Sequence, residues 1–325
     1  MKIIPANDPK FIRYKADLLH HSKDISPLYQ ETNSRYYRCY YQDDLADISF
    51  CIELGSTAVL LVLLTAPNNN LISFINMPVQ FVWHHQISEQ QKKGANKVAI
   101  KHLKQLMATS NASIFYQESS QCSLSEFGQF LLKQHYHIQP FFSQKISLTL
   151  DEQQIFTGIR KIFRANIRWG EENLRFNIID KSTLTPGDIF DFQQLHIQAA
   201  GKETRSDESW RIQEQMIVAE EAFAIYGYLD NKLVSTGLFP YNQHECYYGV
   251  GAYDRALFDK PLAHALVWLA IKHAKGLNCQ YFNFGESHFP GIETQGGLPS
   301  EKELAIAHFK QGFGGNFQSI LQFKG

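Results

Sequence analysis

The sequence predicts an α/β (α+β) chain of two tandem units, each a mixed, mostly antiparallel sheet flanked by helices. Three observations lead there. The chain has 325 residues, long for one domain, so two are expected, residues 1–152 and 153–325. A content of 44% hydrophobic and 19% charged residues is enough to bury two cores and excludes a disordered chain. In the second part the apolar spacing changes in the order strand, helix, helix, three strands, helix, strand, helix, strand. The first part repeats this order in weaker form.

The elements follow in turn. The first fifty residues show little pattern. Residues 57–65 and 71–79 read as strands parted by the turn Pro67-Asn68-Asn69-Asn70. Residues 87–109 read as a helix, with Ala95, Ala99, Leu103 and Leu106 on one face and Lys93, Lys97, Lys101 and Lys104 on another. A strand at 113–117, a helix at 123–135 and a strand at 143–150 close the first unit. Residues 151–173 read as one long helix and 176–180 as a strand. Pro186-Gly187-Asp188 opens a helix to about residue 200, and Asp207 opens another to about 221. Strands 223–229 and 233–239 meet at the hairpin turn Asp230-Asn231-Lys232, and 245–252 is a third. Pro261 starts an apolar helix that Gly276 stops. A strand at 281–285 follows. Ser300-x-x-Glu303 caps a helix through residue 309, and 319–323 is the closing strand.

Composition narrows the function classes. A formal charge of −1 supplies no global field toward nucleic acid or membrane. The five cysteines, Cys39, Cys51, Cys122, Cys246 and Cys279, form no C-x-x-C pair, which argues for thiols in a reducing compartment. The longest apolar run, residues 58–64, is too short to cross a bilayer, and the start lacks the apolar core of a secretion signal. A cytoplasmic protein is expected. His20-His21, His84-His85 and His135-x-His137 lack carboxylate or cysteine companions at ligand spacing, so no metal is assigned.

Three segments resemble one family. Strand 146–150 and Asp151 lead into Arg160-Lys161-Ile162-Phe163-Arg164-Ala165-Asn166-Ile167-Arg168. Residues 266–285 combine an apolar helix, a glycine and a strand ending Phe282-Asn283-Phe284-Gly285. Phe309-Lys310-Gln311-Gly312-Phe313-Gly314-Gly315 is the most specific of the three. Together they resemble the FemAB-like (Fem peptidyltransferase) branch of the GNAT acyltransferase superfamily, over residues 145–325. The resemblance implies two GNAT-like units, the first degenerate, and acyl transfer in a cell-envelope or polysaccharide pathway. It departs from the family at two points. No long helical arm of the kind carried by tRNA-using Fem enzymes is visible. The loop Asp254-Arg255-Ala256-Leu257-Phe258-Asp259-Lys260-Pro261 lacks the glycines that let backbone N–H groups hold the coenzyme A pyrophosphate.

Acyl transfer to an amine needs a path for the amine proton and a cradle for the developing oxyanion, but no covalent nucleophile. The resemblance places Lys310 near the donor. Glu286 and His288, past the strand ending at Gly285, are candidate proton acceptors, since either side chain can be tuned toward neutral pH. Ser287, Tyr247, Arg205, Glu208 and Arg255 are carried as substrate- or donor-binding residues. Gly312, Gly314 and Gly315 read as positions of positive φ or close backbone approach. Arg160, Arg164 and Arg168 recur at i, i+4 and i+8, forming either a phosphate-binding stripe or a solvated face.

The leading expectation is an N-acyltransferase using acyl-CoA or aminoacyl-tRNA as donor, with acyl-CoA favoured by the missing arm. Its acceptor would be an amine of a sugar, cell-envelope precursor or related metabolite. Two alternatives stay open: an aminoacyl-tRNA-dependent peptidoglycan-precursor transferase, and a non-catalytic module binding a sugar nucleotide or a protein.

Overall fold

The computed structural model describes residues 1–22, 24–42, 44–294 and 296–325. The chain divides into two compact units, Met1–Ile25 with Asp43–Phe141 and Gln318–Gly325, and Ser26–Gln42 with Phe142–Phe317. It therefore passes from one unit to the other four times.

In the first unit, β1 (Lys2–Pro5), β2 (Phe50–Leu54), β3 (Thr57–Leu63) and β5 (Gln80–Trp83) form an antiparallel sheet in the order β1-β2-β3-β5. Helix α1 (Pro9–His21) opens on Asp8, whose carboxylate accepts from the Lys10 N–H, with Pro9 at the first helical position. Helix α3 (Glu89–Ser110) buries Ala95, Ala99 and Leu103 against Phe50, Ile52, Leu60 and Val62. Its lysines Lys93, Lys97, Lys101 and Lys104 are exposed. The expected strand 71–79 is cut short. Only β4 (Leu71–Ile72) is extended, because Ile75 and Asn76 take φ of +54° and +60° while Phe74 and Met77 exchange both backbone hydrogen bonds. Strand β6 (Ser113–Ile114) pairs with β4, and β7 (Tyr116–Ser119) pairs with the chain end through Tyr116–Phe323 and Ser119–Ile320. Helix α4 (Glu126–Lys133) packs Phe127 and Leu131 into the same core. The rings of His20, His21, His85 and His84 lie in sequence at centroid distances of 4.9, 5.2 and 4.7 Å. Two of these contacts are face-to-face stacks, and among the described residues no group of three or more His, Cys, Asp or Glu is placed to hold a metal.

In the second unit, β9 (Arg175–Ile179), β10 (Ala222–Leu229), β11 (Lys232–Pro240) and β13 (Val250–Tyr253) form an antiparallel sheet in the order β13-β11-β10-β9. Asp230 and Asn231 turn the β10–β11 hairpin with φ of +49° and +63°, the pair of left-handed residues that suits strand twist. The expected strand 245–252 is two strands. Strand β12 (Glu245–Tyr247) pairs in parallel with β14 (Tyr281–Glu286), while β13 stays with β11. The switch falls at two residues: Tyr248 N–H donates to Asn283 O at 2.9 Å, and Gly249 N–H donates to Leu238 O at 3.2 Å. The sheet parts there. On the other side of β14 lies the end of β8 (His137–Ser147), antiparallel, with Phe282 opposite Ile146.

Helix α9 (Leu262–Gly276) covers one face of this unit with Leu266, Val267, Ala270 and Ile271, all at most 1% exposed. The opposite face carries α2 (Glu31–Tyr41), α7 (Asp188–Ala200) and α8 (Asp207–Val218) around Phe192, Trp210 and Met216. The expected single helix 151–173 is α5 (Glu152–Gly158) and α6 (Lys161–Asn173), with Ile159 and Arg160 extended between them. The cause is tertiary: Arg160 gives its N–H to Gly312 O at 2.8 Å instead of to a helical carbonyl. Helix α10 (Glu301–Gln311) starts at the capping box of Ser300 and Glu303, and β15 (Asn316–Lys324) ends the chain. No helix among the described residues is long and apolar enough to cross a membrane.

Candidate functional site

Helix α10 ends by delivering Lys310 to the end of β14. Lys310 Nζ donates to Glu286 O at 3.0 Å. The lysine is held from behind by Gln144 of β8, 1% exposed, whose Nε2 donates to Lys310 O at 2.9 Å and to Gly314 O at 2.6 Å. Three glycines make this close approach feasible. A Cβ on Gly312 would lie 2.1 Å from the Phe163 ring, so the ring occupies the space a side chain would need. Gly314 and Gly315 sit at φ +79° and +83°, and Cβ atoms there would meet Gly158 O at 2.6 Å and Lys145 O at 2.5 Å. Phe163, Phe309, Phe313 and His264 form an aromatic floor beneath the turn, edge-to-face except for the tilted Phe163–Phe309 pair.

The facing strand end is shaped by Asn283. Its Oδ1 accepts from Gly285 N–H at 2.8 Å and from Ser143 Oγ at 3.1 Å, and its Nδ2 donates to Glu245 Oε2 at 3.1 Å. Lys145 Nζ completes the network on Glu245 at 2.6 Å, where the carboxylate is 1% exposed. The residues on this strand register as a bulge, Gly285 taking φ +74° with Tyr247 Oη 2.4 Å from where its Cβ would be. The bulge turns Glu286 toward the lysine. Beyond it Ser287 N–H donates to Phe142 O at 2.8 Å, and His288 Nδ1 lies 3.8 Å from Glu286 Oε1. Neither Ser287 Oγ nor His288 Nδ1, both buried, has a hydrogen-bond partner within the protein.

Burial sets the electrostatics. Loss of water brings the Lys310 ammonium down to about 8, with the Glu286 carboxylate opposing that shift. Burial raises Glu286, and the charges of His288 and Lys310 act the other way. Tyr247 is pushed up to about 12 by burial, so its hydroxyl keeps its proton at neutral pH. A cation of reduced proton affinity thus lies within electrostatic reach of a carboxylate whose burial raises its proton affinity.

Lys310, Glu286, Ser287, His288, Tyr247, Gly312 and Gly314 therefore meet at one strand end, with Gly315 on the adjoining turn. The other sequence candidates lie elsewhere. Glu208 is exposed and pairs with Arg211 at 3.3 Å, one turn along its own helix, so it faces water. Arg255 is exposed on the turn before α9. Arg164 Nη1 donates to Thr157 O at 3.4 Å, and the Arg168 guanidinium lies 6.0 Å from the Phe156 ring centroid. Arg160 caps α6, so the three arginines do not share one continuous helix. Arg205 lines a cavity of about 180 Å³ with tyrosines of α2. Sequence reasoning missed Gln144, Asn283, Glu245 and Lys145. Only Asn283 sat inside a motif that had been singled out, between Phe282 and Phe284.

The parting between β13 and β14 is lined by aromatic rings. Tyr248 packs between Phe239 and Phe284 at 5.6 and 6.1 Å, and its hydroxyl lies 2.6 Å from that of Tyr253. At the start of α9, the Leu262 N–H donates to Lys260 O at 2.9 Å and the His264 N–H to Pro261 O at 3.3 Å. Two first-turn donors that a phosphate cradle would use are thus already satisfied.

No family model matches the chain, and no curated protein matches it. Solved structures do. FemX aligns with a TM-score of 0.71 at 11% identity, over 99% of this chain and 97% of that one. L-PGS from Bacillus licheniformis aligns at 0.62 and 12% identity, over 99% and 93%. A tandem GNAT protein from the clavulanic acid biosynthesis pathway aligns at 0.55 and 13% identity, over 99% and 98%. The likeness spans the whole chain and is one of fold: this protein has the tandem GNAT-like, FemAB-like fold.

Proposed function

We propose that the protein is an N-acyltransferase that moves an acyl or aminoacyl group from an activated donor to an amine, with its chemistry at Lys310 and Glu286. The observation that carries this reading is the buried Lys310 ammonium, down to about 8, set 3.0 Å from the Glu286 carbonyl beside the Glu286 carboxylate. The amine nitrogen attacks the donor carbonyl carbon, forming the C–N bond while the C–O or C–S bond of the donor breaks. Glu286 accepts the proton that the amine loses, with His288 beside it. Protonated Lys310 opposes the charge developing on the oxygen and can pass its proton to the leaving group.

The test is a transfer assay that follows amide formation from labelled acetyl-CoA and from charged tRNA, with amine acceptors supplied as a mixture. Lys310→Ala should lower kcat by at least about 100-fold, the scale of a lost oxyanion donor, without lowering the melting temperature. Wild-type turnover in that variant removes Lys310 from the chemistry.

On the donor, specific observations favour an aminoacyl ester of tRNA over acyl-CoA. The Tyr248–Tyr253 pair occupies the parting, and the α9 start offers neither glycines nor a full set of free N–H groups. Arg164 and Arg168, one turn apart on α6, supply cations for a polyanion. Salt-sensitive tRNA binding supports this second reading, and a thermal shift with acyl-CoA alone goes against it.

A further inference from the structure

The second unit holds a built pocket apart from the lysine site. Its walls are Tyr36, Tyr37 and Tyr40 of α2, with Arg205, Asn33 and Gln213 as the polar groups. At about 180 Å³ it slightly exceeds an apolar cavity of about 150 Å³ that takes benzene, and is smaller than the ~300 Å³ at which drug-sized pockets begin. Gln213 is 0% exposed and Asn33 1% exposed; Asn33 Nδ2 has no hydrogen-bond partner within the protein, and the Gln213 amide has no well-formed hydrogen bond, only a longer interaction with the Tyr36 hydroxyl. Buried amides without partners are costly, and here they border a cavity. Arg205 makes no ion pair among the described residues. Its Nε donates to Tyr36 Oη at 2.9 Å, its Nη1 meets His196 Nε2, and its guanidinium stacks over Tyr40 and Trp210 at 5.6 and 5.7 Å. Burial and Arg205 itself bring His196 down to about 4, so that imidazole is neutral and the arginine is the fixed charge at the pocket. Met216 and Leu238 add apolar surface.

We propose that this pocket binds a free amino acid, its carboxylate on Arg205, its side chain between the tyrosines and its ammonium on the amides of Gln213 and Asn33. The binding stands on the pocket itself and not on the acyl-transfer reading. An unpaired guanidinium matches a carboxylate, and phenol rings with apolar neighbours suit an aliphatic or aromatic side chain. The volume excludes a nucleotide sugar from the cavity.

Calorimetry on the full chain tests this with L-leucine, L-phenylalanine, L-leucinamide, inorganic phosphate and UDP-N-acetylglucosamine as probes. Saturable binding of leucine or phenylalanine is expected. Leucinamide, which lacks the carboxylate, should bind at least tenfold more weakly. Arg205→Gln and, as a variant that leaves the charge in place, Gln213→Met should each weaken amino-acid binding at least tenfold, the latter at a melting temperature no lower than that of the wild type. Lys310→Ala should bind as the wild type does, so a failed transfer assay with retained binding removes the acyl-transfer reading and leaves the pocket. Equal affinity for leucine and leucinamide overturns the proposal. So does binding of phosphate or the nucleotide sugar alone, and so does no binding of either amino acid.

Discussion

Lys310 is a cation that the fold partly strips of water, and the consequences are measurable. Its proton affinity is lower in the folded chain than in the unfolded one, so the unfolded chain holds the extra proton between about pH 8 and 10.5. Stability therefore rises with pH across that window, and the burial penalty is fully present below it. Lys310→Met should stabilise the protein at pH 7 by on the order of 2–3 kcal/mol, read by urea denaturation. The same variant should lose transfer, since it keeps the volume and removes the proton. In the wild type, kcat/KM should fall above about pH 8 as Lys310 deprotonates. A flat profile through pH 9 would show that its proton is not used. The neighbouring Glu286, Ser287 and His288 were legible because they follow a strand, and strand ends at a parting sheet face the cleft. Glu208 was not separable in this way. An acid in the first turn of a helix fits a dipole and a surface pair as well as it fits a site.

At the scale of elements, two packing arrangements carry the site. The first is the glycine turn after α10. Gly312→Ala would drive a methyl group into the Phe163 ring, so the ring or the helix end must move. A drop in kcat larger than the loss of stability implies is expected, and a fully active, fully stable variant would show that the turn tolerates what its geometry forbids. The second is the α9 core. Leu266 is 0% exposed among Phe239, Ile167 and Phe282, and Leu266→Ala should cost about 2–5 kcal/mol with kcat per folded molecule preserved. Denaturant midpoints with an unchanged slope measure it. Most elements were readable from spacing, the capping box at Ser300 among them; those at Ser88 and Asp151 emerged only in the structure. Three breaks were not: the one at Ile159–Arg160, the tight turn at Ile75–Asn76 and the split between β12 and β13. Each interrupts a stretch whose local pattern is continuous. At the first, Gly312 takes a backbone donor that the helix would have used. At the split, Asn283 and Leu238 take successive backbone donors on different strands.

At the scale of the whole chain, the two units are interleaved in sequence. Residues 26–42 belong with the second unit, and 318–325 with the first. A cut at residue 152 would leave residues 153–325 without α2 and without the strand that pairs with β14. It would also leave residues 1–152 without the partner of β7. Expressed separately, neither piece should show the cooperative unfolding of the intact chain, and the 153–325 piece should not bind amino acids. A stable, cooperatively melting 153–325 fragment would refute this.

Composition and spacing determined the class of fold, most helices and strands, and the candidate turn around Lys310, because those depend on periodicity and on residues close in sequence. Tertiary structure alone decided where those helices and strands break, which polar residues hold the turn and what fills the parting of the sheet. Gln144 shows the reason most plainly. Its amide joins Lys310 and Gly314 across 166 and 170 positions of chain, a hydrogen bond that no local pattern encodes and that exists only once the core has brought the two segments together.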